Sequence, residues 1–276
     1  VRAGARAVIG SRLAWFHETA TPGFWDAEWE RELSGEFFRP YREGRLFDFE
    51  APFSRYLPHE GLVLEAGCGT GQWVLALRAR GYDCVGIDYA WRTLVRVHAD
   101  VPELPLVGGD LLGLCLRDDA CTGITSLGVV EHRKEGPEPF LAELYRVLAP
   151  GGRLLISVPY FNALREYRAA RGAYLQDTTG LDFYQWAFTA REFDALLVRT
   201  GFTVLDHVPY GHYKCLRGEF TWLTRLPDLA MRILLRLTSY SATVRAWGHM
   251  LLYVVEKPVT PRSPGDDRPS RTADTP

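Results

Sequence analysis

The sequence predicts an α/β domain built on a mostly parallel sheet, and three observations carry that expectation. Between about residues 60 and 158, short apolar runs alternate with stretches of helical periodicity, the pattern of successive βαβ units. The first of these runs leads through Val63-Leu-Glu-Ala into glycines at alternate positions, Gly67, Gly69 and Gly71, and then into a helix-forming stretch. Acids stand at the ends of three successive runs: Glu65, Asp88 and Asp110. Composition agrees with the pattern. The chain has 276 residues, 47% hydrophobic and 24% charged, which is enough for one large or two small packed domains at roughly 100–200 residues each.

Taken in order, residues 1–58 read as a helical N-terminal cap. They are rich in aromatics (Trp15, Phe16, Phe24, Trp25, Trp29, Phe37, Phe38, Tyr41), and the spacing from Trp25 through Phe38 is partly helical. Strands of the sheet are expected at 62–66, 84–88, 104–108, 123–127 and 153–158. A helix over 72–80 ends at Gly81, which tolerates the left-handed backbone of a helix stop. A second helix is expected over 91–99, and a third over 139–148, opened by proline and closed ahead of Pro150. Thr189 and Glu192 form a capping box before Phe193, Leu196 and Leu197, and Gly201 ends that helix. The last strands are expected at 202–208 and 250–256.

Between those two strands lies an insertion of about residues 213–249. It carries Lys214, Arg217, Arg225, Arg232, Arg236 and Arg245 against Glu219 and Asp228. Leu226, Leu229, Ile233, Leu234 and Leu237 recur at near-helical spacing, so the insertion reads as basic, amphipathic and helical. Packing on the sheet, a lid over a pocket and contact with a membrane surface all fit such a segment. Past Pro258 the sequence turns to Pro, Arg, Ser, Thr and Asp, and residues 259–276 read as a disordered tail. The central domain is then 59–258.

The charge balance narrows the partners. Thirty-two basic and thirty-four acidic residues leave a formal charge of −2, which gives nucleic acid no global attraction. Five cysteines with no CxxC pair argue against a disulfide framework or a zinc knuckle and suit a reducing compartment. No apolar run reaches the ~18 residues of a membrane span. The first sixteen residues also lack the apolar stretch of a secretory leader. A cytoplasmic location is therefore expected.

The glycine loop and the acids point to a ligand. Glycines let the backbone turn sharply and approach a bound group, and the helix that follows offers free N–H groups to an anion. Asp88 stands about 20 residues past the loop, where a carboxylate can accept both ribose hydroxyls. The glycines run G-x-G-x-G, one position short of the G-x-G-x-x-G dinucleotide fingerprint. Glu65 would repel a pyrophosphate but would attract a sulfonium and an ammonium. S-adenosylmethionine is favoured over NAD on both counts.

Several ordered segments carry a family resemblance. Leu64-Glu-Ala-Gly-Cys-Gly-Thr-Gly71, Gly86-Ile-Asp-Tyr-Ala90, Gly109-Asp110, Ser126-Leu-Gly-Val-Val-Glu-His132 and Leu144-Tyr-Arg-Val-Leu-Ala-Pro-Gly-Gly-Arg-Leu-Leu-Ile156 resemble the motifs of class I S-adenosylmethionine-dependent methyltransferases. The nearer likeness is to their small-molecule type 11/12 branch, and it covers about residues 55–208. It implies a Rossmann-like three-layer sandwich whose seven-stranded sheet has an antiparallel last strand. It also implies that Glu65, Gly67, Cys68, Gly69, Thr70 and Gly71 hold the methionine part of the cofactor. Asp88 would take the ribose hydroxyls, with Tyr89 beside the adenine. Asp110 and Leu111 would meet the adenine amino group and ring. Leu127, Gly128 and Val129 would pass beneath the sulfonium.

A hydroxyl acceptor benefits from a base, and His132, after the fourth strand, is the first candidate. Hydrogen bonding to a backbone carbonyl is its plain structural alternative. Glu131-His132 is similar to the end of the E-x-x-E-H motif of quinone-pathway O-methyltransferases, which is associated with a divalent metal. Gly128 stands at the first acid position here, and no metal is expected. Tyr160, Tyr210, His212 and Tyr213 are further pocket candidates, and Tyr41 and Arg42 could fold over the cofactor from the cap. The expected activity is methylation of a small molecule, most readily at oxygen. N- or C-methylation on the same scaffold and a non-catalytic cofactor-binding subunit are the alternatives.

Overall fold

The computed structural model describes residues 4–33, 36–220 and 247–259, together with Leu223 and Arg236. Its centre is a seven-stranded sheet: β3 (Leu62–Ala66), β4 (Asp83–Asp88), β5 (Leu106–Gly108), β6 (Cys121–Leu127), β7 (Leu148–Pro159), β9 (Thr203–Tyr210) and β10 (Met250–Glu256). The strand order is β5-β4-β3-β6-β7-β10-β9. The neighbours from β5 to β7 pair in parallel. β10 pairs antiparallel with both β7 and β9, so the expected antiparallel last strand is present. The order reverses at β3, where the chain moves from β5 across to β6. At such a switch point the loops on either side diverge and leave a crevice at the carboxyl ends of the strands.

Helices cover both faces. α4 (Gln72–Ala79), α5 (Trp91–Asp100), α6 (Glu138–Val147) and α8 (Ala190–Thr200) fall where periodicity places helices. Thr189 caps α8 by accepting from the Glu192 amide at 3.2 Å, and Gly201 ends it with φ +110°. Two apolar layers result. One packs Leu64, Ile124, Leu144, Ile156, Phe193 and Tyr253 together, and the other packs Phe53, Val63, Leu77, Val97, Leu155 and Leu252. The central strands are apolar on both faces because both are covered.

The N-terminal region departs from the helical cap expected of residues 1–58. α1 (Pro22–Glu32), α2 (Arg39–Arg42) and α3 (Glu50–Tyr56) are helical, but β1 (Ala5–Ile9) and β2 (Arg12–His17) form a hairpin ahead of them. Ile9 pairs with Arg12 across a Gly10-Ser11 turn, and Gly10 takes φ +61°. Two-residue hairpin turns call for such positive φ. β2 also pairs antiparallel with β8 (Asp182–Ala187), making a separate sheet of order β1-β2-β8. Tertiary pairing with a distant strand overrides the helical reading here.

That small sheet is fastened by a buried charge cluster. Between β7 and β8 runs α7 (Ala163–Ala170), and after β9 comes α9 (His212–Glu219). Glu219 meets Arg6 at 2.7 Å, Arg165 at 3.1 Å and Arg168 at 3.2 Å, and it accepts from the Tyr174 hydroxyl at 2.5 Å. Burial alone would raise the Glu219 carboxyl, but Tyr174 and the arginines outweigh it and hold it below the usual range. The helical insertion expected over 213–249 begins with α9, and most of the remainder lies outside the described residues, as does the tail over 260–276. Among the described residues no helix is long and apolar enough to cross a membrane.

Candidate active site

The glycine loop is fixed by its own strand neighbour. The Gly67 and Cys68 amides both donate to the Ile87 carbonyl, at 2.8 and 3.0 Å. Gly67 has φ +81°, and a Cβ there would sit 2.5 Å from Val129 Cγ2. Only glycine meets both conditions. Asp88, at the end of β4, locks the loop from the other side. Its Oδ2 accepts from the Gly69 amide at 2.7 Å, and its Oδ1 accepts from the Ala90 amide at 2.8 Å. Each oxygen keeps a lone pair for a further donor. Burial raises the Asp88 carboxyl, and the backbone donors Ala90, Gly69 and Tyr89 pull it back.

Above this loop a cavity of about 580 Å³ opens along the carboxyl ends of β3, β4 and β6. Its floor and near wall include Glu65, Gly67, Cys68, Gly69, Asp88, Tyr89, Asp110, Leu111, Leu127 and Gly128. Two residues expected with them do not line it. Thr70 is fully buried and turns its hydroxyl to the Gln72 side chain. Gly71 takes φ +70° at the start of α4, closed in by Leu104 and Leu106. Their work is to shape the turn.

Glu65 is 1% exposed and receives the Thr125 hydroxyl. Burial pushes its carboxyl up to about 8, against the help of Thr125 and with a further push from Asp88. A neutral acid in that place is ready to ionise when a cation arrives. Asp110 uses Oδ1 to accept from the Leu112 amide at 2.9 Å.

The roof is α1. Thr21 caps it by accepting from the Phe24 amide at 3.2 Å, and Pro22 starts it. Asp26 accepts from the Thr93 amide and hydroxyl, each at 2.8 Å, which ties α1 to the start of α5. The Tyr89 hydroxyl donates to the Ala20 carbonyl at 3.0 Å. This docking stacks Trp25 on Trp29 with ring centres 5.6 Å apart. It also sets the Trp29 indole against Gly69 and puts Trp25 in an edge-to-face contact with His132, ring centres 4.9 Å apart. The aromatic cap pointed to this roof, but through the wrong residues. Tyr41 packs on Trp73 and Phe47, and Arg42 pairs with Glu103. Neither lines the cavity, and neither do Tyr160, Tyr210, His212 or Tyr213.

At the far end the cavity is lined by His132, Arg133, Lys134, Glu135, Phe140, Asp182 and Phe183. His132 follows β6, and its Nδ1 lies 2.9 Å from the Tyr184 carbonyl on β8. Because a carbonyl only accepts, Nδ1 carries the proton and Nε2 keeps the lone pair. Burial pushes this imidazole down to about 4, with the Tyr184 and Gly128 carbonyls opposing. The ring is neutral at pH 7. Among the described residues no three His, Cys, Asp or Glu side chains are grouped to hold a metal.

The residues fit a cationic nucleoside. Three acids at strand ends, a glycine cradle that a Cβ would fill and a buried carboxyl awaiting a counter-charge share one cavity. Comparison with known proteins agrees. Residues 38–207 match the family model described as a methyltransferase domain. A protein of Mycolicibacterium smegmatis, named as a probable S-adenosylmethionine-dependent methyltransferase, is 31% identical over 150 residues, 54% of this chain and 55% of that one. The match thus spans about half of that relative. An Encephalitozoon cuniculi protein named as a methyltransferase is 30% identical over 204 residues, 70% of this chain and 91% of its own. The fold is also that of the methyltransferase solved in complex with the Trm112 methyltransferase activator of Haloferax volcanii. The TM-score is 0.59 at 18% identity, covering 87% of this chain and 99% of that one. With more than half of its length matched, the chain belongs to the methyltransferase-domain family, enzymes that take S-adenosylmethionine as methyl donor.

Proposed function

We propose that this chain methylates a hydroxyl oxygen of a small molecule, with His132 as the base. The observation that carries the reading is the single cavity joining Glu65 and Asp88 at one end to a neutral imidazole at the other. When bound, S-adenosylmethionine supplies an electrophilic methyl group on a sulfonium that departs as a neutral thioether. Glu65, Gly67, Gly69, Asp88, Tyr89, Asp110 and Leu111 would hold it. The chain's own work is alignment and exclusion of water. Trp25 and Trp29 roof the cavity, and Phe140 and Phe183 give its far end apolar walls. His132, with Nδ1 committed to Tyr184, offers Nε2 to the acceptor's proton.

The far end also carries Arg133 and Lys134 beside Glu135 and Asp182, so polar as well as aromatic acceptors suit it. Release of S-adenosylhomocysteine across a panel of phenols, sugars and lipids tests the reading. A hydroxyl compound should be turned over, and His132→Asn should lower kcat by about 10²- to 10⁴-fold, the usual share of a general base. Turnover of amines alone would favour N-methylation. Binding without turnover of any acceptor would favour a non-catalytic subunit.

A further inference from the structure

Behind His132 sits a carboxyl group that the site as described leaves idle. Glu131 is 1% exposed, and its Oε2 has no hydrogen-bond partner among the described residues. Its Oε1 lies 3.9 Å from Nε2 of His132. Buried carboxyl oxygens are almost always satisfied, so an orphan in the core calls for a reason. His132 poses a matching problem. Nδ1 is fixed on the Tyr184 carbonyl, so Nε2 is the nitrogen that must take a proton, and it would form an imidazolium in a dry pocket.

We propose that Glu131 and His132 form one proton-sharing pair, in which Glu131 is a positioning residue that supplies the negative charge His132 needs when it takes the acceptor's proton. The proposal rests on His132 being the base. As the acceptor oxygen bonds to the methyl carbon, its O–H bond breaks and the proton moves to Nε2. The carbon–sulfur electron pair stays with the departing thioether. With Glu131 ionised, the protonated pair is neutral overall. With Glu131 protonated, the same step would leave a lone positive charge in low dielectric.

The other groups facing Glu131 cannot take its place. Its own backbone amide and, from the exposed surface, Lys214 on α9 lower its proton affinity without matching burial, while Tyr184 on β8 and Tyr210 on β9 are themselves pushed upward by burial and stay neutral. Beside Gly128, the Met250 methyl and Glu131 Oε1 approach the same point, and Met250 carries no charge. Burial pushes the Glu131 carboxyl up to about 8 while it pushes His132 down to about 4. For two groups this close, the proton near pH 8 belongs to the pair rather than to either residue.

The free protein provides the test. In ¹⁵N-histidine-labelled protein, the His132 side-chain signals are identified by their loss in His132→Asn. In the parent they should shift through a titration near pH 8, and in Glu131→Gln that shift should vanish. A flat His132 signal from about pH 6.5 to 9.5 in the parent, or an equal shift in Glu131→Gln, overturns the pair. With an acceptor from the panel, kcat should rise about tenfold per pH unit below the pair's titration and level off above it. Glu131→Gln should flatten that rise with KM unchanged, and Glu131→Asp should restore it. Full turnover by His132→Asn would remove the base itself and the pair with it. An impaired His132→Asn with a flat histidine signal in the parent would remove the pair alone.

Discussion

Glu65 beside the glycine loop and Glu131 beneath the His132 end are each 1% exposed, and burial pushes each carboxyl up to about 8. Their surroundings part from there. Glu65 receives the Thr125 hydroxyl and lines the cavity, where Asp88 adds a second acid. Glu131 does not line the cavity, has an unpaired oxygen and faces an imidazole. Burial is the largest cause in both places, modified by Thr125 and Asp88 at Glu65 and by its own backbone amide and Lys214 at Glu131. What relieves it differs: at one end a cation can come from outside, and at the other a charge must be made inside the protein.

Four experiments press on that contrast, from the largest expected effect to the smallest. Asp88→Ala strips the acceptor from the Gly69 and Ala90 amides, and calorimetry should show S-adenosylmethionine bound about 100-fold more weakly. Unchanged affinity would remove the glycine-loop end from the site. Glu65→Gln should weaken binding about tenfold at neutral pH, the worth of one partly screened charge contact. In the parent, Glu65 is protonated below about 8 and a bound cation favours its carboxylate, so binding at pH 7 should release a proton. Calorimetry in buffers of different ionisation enthalpy reads that proton, and Glu65→Gln should abolish it.

The third experiment concerns stability. A carboxyl raised in the folded state favours folding most at low pH, and that contribution is lost as pH rises from the ordinary carboxylate range through about 8. Glu131→Gln cannot ionise, so its melting temperature should gain on the parent's between pH 5 and pH 9. A constant gap would place the Glu131 carboxyl in its ordinary range. The smallest effect belongs to Tyr89→Phe, which cuts the link to Ala20 ahead of α1. It should weaken cofactor binding only two- to tenfold, in keeping with ~0.5–1.5 kcal/mol for one hydrogen bond, and leave the His132 end untouched.

The two ends were unequally legible in the sequence. Gly67, Gly69 and Asp88 stand out because their constraints are local: a sharp turn, a close approach and an acid at a strand end. The βαβ rhythm made the central sheet readable for the same reason, down to Gly201 and the 250–256 strand. The small sheet was not. β2 finds its partner in β8, far along the chain, and no short-range pattern carries that pairing. One cue was available in Gly10-Ser11 between two apolar runs, a hairpin signature. Trp25 and Trp29 were visible as part of an aromatic cap, but their place over the loop depends on Asp26 reaching Thr93, a contact between elements that spacing does not encode. Glu131 reads in the sequence as half of a motif. Its burial and its place beside the His132 ring emerge only in the fold.

The hairpin of β1 and β2 also bears on how the nascent chain matures. These are among the earliest of the described residues to leave the ribosome, yet β2 waits for β8 and Arg6 waits for Glu219. Such long-range closures are slow steps. The carbonyl that steers the His132 ring belongs to β8, so the central sheet can assemble while the imidazole is still unset. Catalytic competence should therefore lag behind the appearance of compact structure during refolding, and the delay should grow when the hairpin's turn is weakened.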